Sequence, residues 1–351
     1  MAPEAINPDD PRIEHRFLKI NDDITYHYML AKPQTENPPP LGTVLLLHGW
    51  PDIGMGWRFQ VLYLLSLGLQ VIVPDLLGYG QTSAPDAFVE YSLRKMSAHM
   101  AHLVRDVVPD PSNHPVILGG HDWGAFLAWR LAIYHPDLFC GVFSFTIPFF
   151  PPAPTVVTLD DFVQQNPIFG YQLQNANGEA EAIGERHLRG FINTMHRGVS
   201  SDGESAFDPY VGLIEDRLAN VGPSPLMTPE IFEHYVQEFS RHGLHGPMNW
   251  YRTRSINGED ETQLAAAPTN KYAKTTTTTP TKFQFPSIPA MLVMAGKDSV
   301  LSPQMAAGQE QYFSAGLKSE VIADASHWAM THQPDEANRL IGEFVKQVLG
   351  L

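Results

Sequence analysis

A carboxylate stands between small residues in the segment Gly120-His121-Asp122-Trp123-Gly124. The apolar run over residues 115–118 predicts a short strand before it, and the apolar spacing of residues 125–132 predicts a helix after it. A side chain held on so sharp a strand-to-helix turn needs small neighbours two positions away on each side, because larger ones would clash. The segment therefore has the form of a nucleophile elbow in which an aspartate replaces the usual serine.

Two further reactive groups follow the carboxyl ends of later apolar strands. Asp298 comes after one such strand and His327 after the next. Open α/β sheets place their ligand sites at the carboxyl ends of strands, so we expect both groups to lie near Asp122. The strand over residues 141–146, the other place where such a fold can put its acid, ends without a carboxylate. The sequence thus predicts a nucleophile, an acid and a histidine, in that chain order.

The segment His48-Gly49-Trp50-Pro51 ends another apolar strand and predicts an oxyanion loop. The backbone N–H groups of Trp50 and Trp123, the residue after the nucleophile, would converge on one oxygen. A cis bond between Trp50 and Pro51 would turn the first N–H inward, and cis bonds are nearly confined to X–Pro pairs. We therefore predict a cis bond here.

An ionised Asp122 needs no base to act as a nucleophile, and it can displace a leaving group from an sp³ carbon. The product is an ester on the enzyme. His327 would then take a proton from the water that attacks this ester, while Asp298 orients the imidazole and stabilises its charge. Epoxides and carbon–halogen bonds both suit this chemistry. Neither requires a metal or a cofactor.

The elements that must position these groups alternate between strands and helices. This alternation predicts a mostly parallel sheet with helices on both faces. Predicted strands cover residues 15–20, 24–30, 43–47, 70–73, 115–118, 141–146, 289–295 and 319–322. Predicted helices cover residues 57–67, 92–107, 125–132, 303–311 and 335–349, with Ser92 as the cap of the second.

The strand–helix alternation stops at Pro148 and resumes near residue 289. Helical stretches over residues 180–196 and 229–241 predict an inserted, mostly helical cap over residues 148–254, between core segments 1–147 and 255–351. Residues 258–286 are polar and include a Thr-rich loop near 268–286. This stretch is too long for an ordinary loop, which predicts a mobile segment or a surface excursion.

The bulk composition excludes several classes of protein. The 351 residues carry a net charge of −15, which disfavours binding to nucleic acid or to an anionic membrane surface. Cys140 is the single cysteine, which suits a reducing compartment. We find no signal peptide and no apolar run of the roughly 20 residues that span a bilayer. We therefore expect a cytoplasmic protein, and the sequence leaves a homodimer open.

The catalytic motifs, together with Asn249-Trp250-Tyr251-Arg252 and residues 78–83, resemble the α/β-hydrolase-fold epoxide hydrolases of the soluble type. The resemblance covers most of the chain and implies an α/β-hydrolase core with a helical cap. It also implies two cap tyrosines that bind and protonate the epoxide oxygen. Tyr251 matches the first, and Tyr171, in Phe169-Gly170-Tyr171-Gln172, matches the second. Since the chain lacks the phosphatase-like domain of mammalian members, it is similar to the shorter microbial or plant form.

Apolar side chains near these motifs predict the lining of a pocket between cap and core. They are Trp123, Phe149, Phe169, Met248 and Trp328. Such a lining favours a lipophilic or aromatic epoxide.

Two other functions remain open at this point. A haloalkane dehalogenase would also carry a tryptophan after the nucleophile. Those enzymes typically have Asn at the position of Trp50, however, and they lack the paired cap tyrosines. A non-enzymatic small-molecule receptor of the same fold is the third alternative, which a complete triad with two tyrosines disfavours. The sequence therefore favours an epoxide hydrolase.

Overall fold

The computed structural model describes residues 3–33, 39–108, 110, 113–266 and 283–351. An eight-stranded sheet runs through the core. Its strands are β1 Ile13–Lys19, β2 Thr25–Ala31, β3 Thr43–Leu47, β4 Gln70–Pro74, β5 Val116–His121, β6 Gly141–Phe145, β9 Ala290–Ala295 and β10 Leu317–Ile322. They lie side by side in the order β1-β2-β4-β3-β5-β6-β9-β10. Within this sheet β1–β2 and β2–β4 are antiparallel, and the remaining pairs are parallel. The predicted mostly parallel sheet is confirmed.

Burial along the sheet explains the apolar sequence of its central strands. Every residue of β3, β4, β5, β6 and β9 is buried, whereas the edge strands β1 and β10 are partly exposed. A strand covered on both faces has to be apolar throughout. The covering helices are α1 Arg58–Ser66, α2 Leu93–Val107, α3 Trp123–Tyr134, α12 Ala329–His332 and α13 Pro334–Leu349. Ser92 caps α2, as predicted, by accepting a hydrogen bond from the N–H of Lys95.

A mostly helical region lies between β6 and β9. It contains α4 Leu159–Gln165, α5 Tyr171–Asn177, α6 Glu179–Arg186, α7 Leu188–Met195, the hairpin of β7 Phe207–Asp208 and β8 Gly212–Leu213, α8 Glu215–Leu218, α9 Pro229–Ser240, α10 His245–Arg252 and α11 Arg254–Ala266. The hairpin has strands of two residues each, too short to leave an alternating pattern in the sequence.

Three sequence predictions about the second half of the chain were wrong in detail. Residues 180–196 form two helices rather than one, separated at His187. Residues 303–311 form no α-helix; two short 3₁₀ helices, Pro303–Ala306 and Gln309–Tyr312, occupy this stretch. The polar stretch that begins at 258 is helical as far as residue 266, because α11 packs against α2. The Thr-rich segment 275–279 lies outside the described residues.

Direct hydrogen bonds join the helical region to the core beside the carboxyl ends of the strands. Trp328 Nε1 donates to the carbonyl of Met195 at 2.7 Å, and Trp250 Nε1 donates to the carbonyl of Leu77 at 3.0 Å. Aromatic side chains thus anchor the helical region on the core through donors that burial would otherwise leave unpaired. Within the described ranges, we find no helix whose length and hydropathy would let it cross a bilayer.

Candidate active site

Asp122 occupies a strained turn between β5 and α3. Its backbone has φ 50° and ψ −125°, a left-handed conformation that non-glycine residues rarely adopt. A Cβ on Gly120 would come within 2.5 Å of the carbonyl oxygen of Gly124, and a Cβ on Gly124 within 2.2 Å of the carbonyl oxygen of His48. The two glycines therefore allow the close packing that presents the carboxylate at the tip of the elbow.

The oxyanion loop holds one oxygen of this carboxylate. The sheet pairs β3 with β5, so the loop that follows β3 meets the elbow. The N–H of Trp50 donates to Asp122 Oδ1 at 2.8 Å, and the N–H of Trp123 also stabilises the charged carboxylate. The bond between Trp50 and Pro51 is cis, as predicted. Burial raises the pKa of Asp122, although His327 and these two N–H groups oppose the rise.

His327 is hydrogen-bonded to Asp298 on one side and faces the nucleophile on the other. His327 Nδ1 lies 2.7 Å from Asp298 Oδ2, and its Nε2 lies 3.7 Å from Asp122 Oδ2. The backbone N–H groups of Val300 and Leu301 donate to the other oxygen of Asp298. Because Asp298 is a carboxylate acceptor, Nδ1 carries the proton and Nε2 faces the nucleophile. The three predicted residues therefore meet in one place.

The charges of His327 and Asp298 stabilise each other. Burial lowers the pKa of His327, but the carboxylates of Asp298, Asp122 and Asp52 together outweigh burial and raise the pKa to about 9. Burial likewise raises the pKa of Asp298, and the charge of His327 together with the backbone donors brings it below the ordinary value. Asp298 is therefore ionised at neutral pH and holds the imidazole in one orientation.

The loop that carries His327 is fixed by groups on both sides. His121 Nε2 lies 2.9 Å from the carbonyl oxygen of His327, to which it donates. Burial holds the pKa of His121 well below its ordinary value, so this residue stays neutral and structural. On the other side, Trp328 stacks on His196 of the helical region with ring centroids 4.2 Å apart.

Two tyrosines from different helices converge on the oxyanion loop and the elbow. Tyr171 begins α5 and Tyr251 lies on α10, and their ring centroids are 5.9 Å apart. The ring of Tyr251 is 5.2 Å from Trp50 and 5.3 Å from Trp123. Burial raises the pKa of both phenols, and the nearby charge of Asp122 raises it further. Both phenols therefore keep their protons at neutral pH, beside the loop and the elbow that hold the Asp122 carboxylate.

Besides Trp123 of the elbow, four residues are predicted to line the pocket, and they lie in different surroundings. Phe149 is fully buried in an aromatic cluster with Trp129, Phe285 and Phe313, and its place in the pocket lining stays a prediction. Its apolar side chain is part of the hydrophobic core. Trp328 contacts the ring of His327 directly, at 5.3 Å between centroids.

The other two residues of this set, Phe169 and Met248, are also buried. Phe169 lies two residues before Tyr171, and Met248 lies one turn before Tyr251 on α10. Met248 therefore shares α10 with Tyr251, whereas Phe169 ends a short 3₁₀ helix just before α5.

Two contacts near the site escaped the sequence analysis. Asp52, one residue after the oxyanion loop, accepts a hydrogen bond from Tyr235 Oη of α9 at 2.5 Å. Burial raises the pKa of Asp52 to about 7, although Tyr235 opposes the rise. Arg252, beside Tyr251, reaches Glu181 on α6 at 2.7 Å. Asp52 directly follows the oxyanion loop and Arg252 ends the segment Asn249-Trp250-Tyr251-Arg252, but position in the sequence says nothing of a partner 71 or 183 positions away.

Comparison with known proteins places this geometry in a family. A family model for the α/β hydrolase fold matches residues 42–332. The chain is 50% identical over 357 residues to epoxide hydrolase srdG of Neurospora crassa, which covers 99% of this chain and 100% of that protein. It is 26% identical to the rat bifunctional epoxide hydrolase 2, over 98% of this chain but 57% of the rat protein's length.

Solved structures show the same fold. Epoxide hydrolase A from Mycobacterium thermoresistibile superposes with a TM-score of 0.75 at 23% identity, covering 95% of this chain and 98% of that one. An epoxide hydrolase from Vigna radiata gives the same TM-score of 0.75 and 23% identity, covering 96% and 98%. The chain therefore belongs to the α/β-hydrolase-fold family and, within it, to the epoxide hydrolases.

Proposed function

We propose that this protein converts an epoxide and water to a vicinal diol through an alkyl ester on Asp122. The observation that carries this mechanism is the asymmetric environment of the Asp122 carboxylate. Oδ1 accepts the N–H of Trp50, whereas Oδ2 is the oxygen that lies nearer His327. Oδ2 is therefore the nucleophile, and Oδ1 becomes the carbonyl oxygen of the ester.

In the first step Asp122 Oδ2 forms a bond to one epoxide carbon while the bond from that carbon to the ring oxygen breaks. The ring oxygen leaves as an alkoxide and takes a proton from Tyr251 or Tyr171. A general acid of this kind typically contributes about 10²–10⁴ in rate. Since the raised pKa of both phenols keeps them protonated in the resting enzyme, the proton is available when the ring opens.

In the second step His327 takes a proton from water, and the hydroxide attacks the ester carbonyl of Asp122. The N–H groups of Trp50 and Trp123 stabilise the oxyanion that forms on Oδ1, and one such donor is commonly worth about 3 kcal/mol. Collapse breaks the bond between the carbonyl carbon and Oδ2 and releases the diol. The departing alkoxide takes the proton of the new carboxylic acid of Asp122, and His327 keeps the proton from water. The ionised Asp122 and the protonated His327 of the resting enzyme are thereby restored.

Alkylation also prepares His327 for its second role. In the resting enzyme the negative charge of Asp122 helps to raise the pKa of His327 to about 9, which favours the protonated imidazole. The ester is neutral, so this contribution disappears when it forms. His327 can then give its proton to the tyrosinate left by ring opening and act as a base.

The same site geometry supports a division of the chain into cap and core and a class of substrate. We propose residues 148–254 as a cap and the residues on either side, 1–147 and 255–351, as the core. The pocket would lie between them, beside Trp123, Trp328 and the tyrosine helices. Its aromatic walls support a lipophilic or aromatic epoxide as substrate. We further propose a cytoplasmic location, from the single cysteine, and a homodimer as the assembly to test.

Diol analysis over a panel of aryl and alkyl epoxides tests the proposed reaction. We expect a vicinal diol from styrene-type epoxides and no bromide from bromoalkanes. Bromide release without diol formation would instead identify a haloalkane dehalogenase, and ligand binding without turnover would identify a receptor.

A single turnover in heavy-oxygen water tests the ester. We expect the label in the carboxylate of Asp122, because water attacks the ester carbonyl. An unlabelled enzyme with a labelled diol would show direct attack of water on the epoxide.

A further inference from the structure

The four residues Asn249-Trp250-Tyr251-Arg252 face different parts of the molecule. Trp250 Nε1 donates to the carbonyl of Leu77 at 3.0 Å, and Asn249 Nδ2 donates to the carbonyl of Asp86 at 3.2 Å. Both acceptors lie in the core, in the segment between β4 and α2. These two side chains therefore fix α10, and with it Tyr251, relative to the core.

Arg252 faces the opposite way, toward the helices that precede α10 in the chain. Its Nε donates to the carbonyl of Ala176 on α5 at 3.0 Å, and its Nη2 donates to Glu181 Oε2 on α6 at 2.7 Å. Its Nη1 donates back to Asn249 Oδ1 at 2.7 Å. One planar guanidinium thus joins α5, α6 and α10, and its side chain is 17% exposed.

Helix α5 is the element that carries Tyr171, and it is only seven residues long. Ala176 lies five residues after Tyr171, about 7.5 Å along the helix axis at 1.5 Å per residue. A helix this short has little stability of its own, so its position depends on tertiary contacts. The hydrogen bond from Arg252 to the carbonyl of Ala176 therefore acts on the placement of Tyr171.

The opposite side of α5 is held by the β7–β8 hairpin. The N–H of Tyr171 donates to the carbonyl of Pro209 at 3.0 Å, and Gln174 exchanges two hydrogen bonds with Leu213. These contacts do not involve α10. Without Arg252, α5 would stay folded on the hairpin, but it would lose the hydrogen bond that ties its C-terminal end to α10.

We propose that Arg252 is a positioning residue that sets the separation between the phenols of Tyr171 and Tyr251. This proposal rests on the proposed function, in which both phenols serve the epoxide oxygen. Trp250 and Asn249 place one phenol relative to Asp122, and Arg252 places the other relative to the first. A displacement of about 1 Å in such an arrangement can cost up to about 10² in rate.

A double-mutant cycle between Arg252→Gln and Tyr171→Phe tests this assignment, with the rate of ester formation measured by single-turnover stopped flow. We expect Arg252→Gln to slow ester formation about 10- to 100-fold in the wild-type background. In the Tyr171→Phe background the same change should cost less than about twofold, because the phenol that Arg252 positions is already absent. The rate of ester hydrolysis should stay within about twofold throughout.

Two further variants serve as controls for the effect of Arg252→Gln. Arg189→Gln removes an exposed cap arginine whose partner Glu233 lies on α9, remote from α5, and should leave both steps unchanged. Arg252→Lys keeps the charge but lacks the planar fork that reaches Ala176 and Glu181 together, so it should recover only part of the lost rate. If Arg252→Gln fails to fold, Arg252→Lys carries the same cycle.

Equal losses from Arg252→Gln in both backgrounds, or no loss in either, would overturn the positioning role. Failure of the proposed function gives a different result. In that case Tyr171→Phe alone leaves ester formation unchanged, or no diol forms at all.

Discussion

Replacement of His327 by glutamine separates the two half-reactions. His327 Nε2 lies 3.7 Å from Asp122 Oδ2, too far for a hydrogen bond, and Asp122 is ionised without help from a base. The alkylation step therefore has no need of the imidazole. Hydrolysis of the ester does need it, because water must lose a proton as it attacks. We expect His327→Gln to form the ester and then to accumulate it.

The size of the effect follows from what glutamine retains. Its amide can still donate to Asp298, whose two remaining partners are the backbone N–H groups of Val300 and Leu301. The buried carboxylate therefore keeps its hydrogen bonds, and the fold should survive. Only the base is lost. A general base typically contributes about 10²–10⁴, so the barrier to hydrolysis should rise by roughly 3–5 kcal/mol.

Intact-protein mass spectrometry after mixing with excess epoxide measures the result. The mutant should gain the mass of one substrate per chain, and peptide mapping should locate it on Asp122. Substrate consumption should show a burst of about one equivalent as the ester forms, and diol should then appear at a rate about 10²–10⁴ lower than that of the wild type. His102→Gln, an exposed histidine on α2, serves as the matched control and should turn over normally.

Normal turnover by His327→Gln would refute the two-step mechanism. Loss of activity without an adduct, in a mutant with wild-type thermal stability, would refute the narrower claim that alkylation proceeds without the imidazole.

Three further predictions concern neighbouring groups. The pH midpoint of ester hydrolysis should lie below the pKa of about 9 that His327 has in the resting enzyme, because alkylation neutralises Asp122. Single-turnover rates across pH 5–10 measure this midpoint. A midpoint at or above the resting pKa would show that alkylation does not lower the pKa of His327. Tyr251→Phe should slow ester formation by roughly 10–100-fold and hydrolysis much less, since the remaining phenol still donates; rapid-quench measurements of both steps decide this, and equal slowing of the two would remove its role as acid. Burial raises the pKa of Asp52 to about 7 in the folded protein, above its ordinary value of about 4. Ionisation of Asp52 therefore lowers the free energy of unfolding as the pH rises from about 4 to about 7. Asp52→Asn should therefore raise the free energy of unfolding by roughly 1–3 kcal/mol at pH 8 and by much less at pH 4, as urea titrations at the two pH values would measure; a loss of stability at pH 8 would show that the charge is needed.

Local sequence was enough to predict the elements that carry the chemistry. The elbow, the oxyanion loop with its cis bond and the strands before Asp298 and His327 all lie where the sequence placed them. Each depends on neighbours in the chain: small residues at a sharp turn, proline after tryptophan, or an apolar run long enough for one buried strand. Where two conformations suit one pattern, the prediction failed. Residues 303–311 contain helix-forming residues, yet two 3₁₀ turns occupy them.

The lining of the site could not be predicted in the same way. The apolar side chain of Phe149 is buried in the hydrophobic core, and the wall of an apolar pocket would use the same type of side chain. Side-chain identity cannot distinguish these two surroundings, because both exclude water.

The sequence by itself determined the reacting groups and the order in which the strands deliver them. A carboxylate between two glycines, an acid and a histidine specify the chemistry wherever the ends of the strands come together. The tertiary structure alone decided which oxygen of Asp122 is held, how the charge of His327 depends on Asp122, and what fixes Tyr171 relative to Tyr251. These properties depend on distances between residues far apart in the chain, and such distances are set by packing and by the burial of charge.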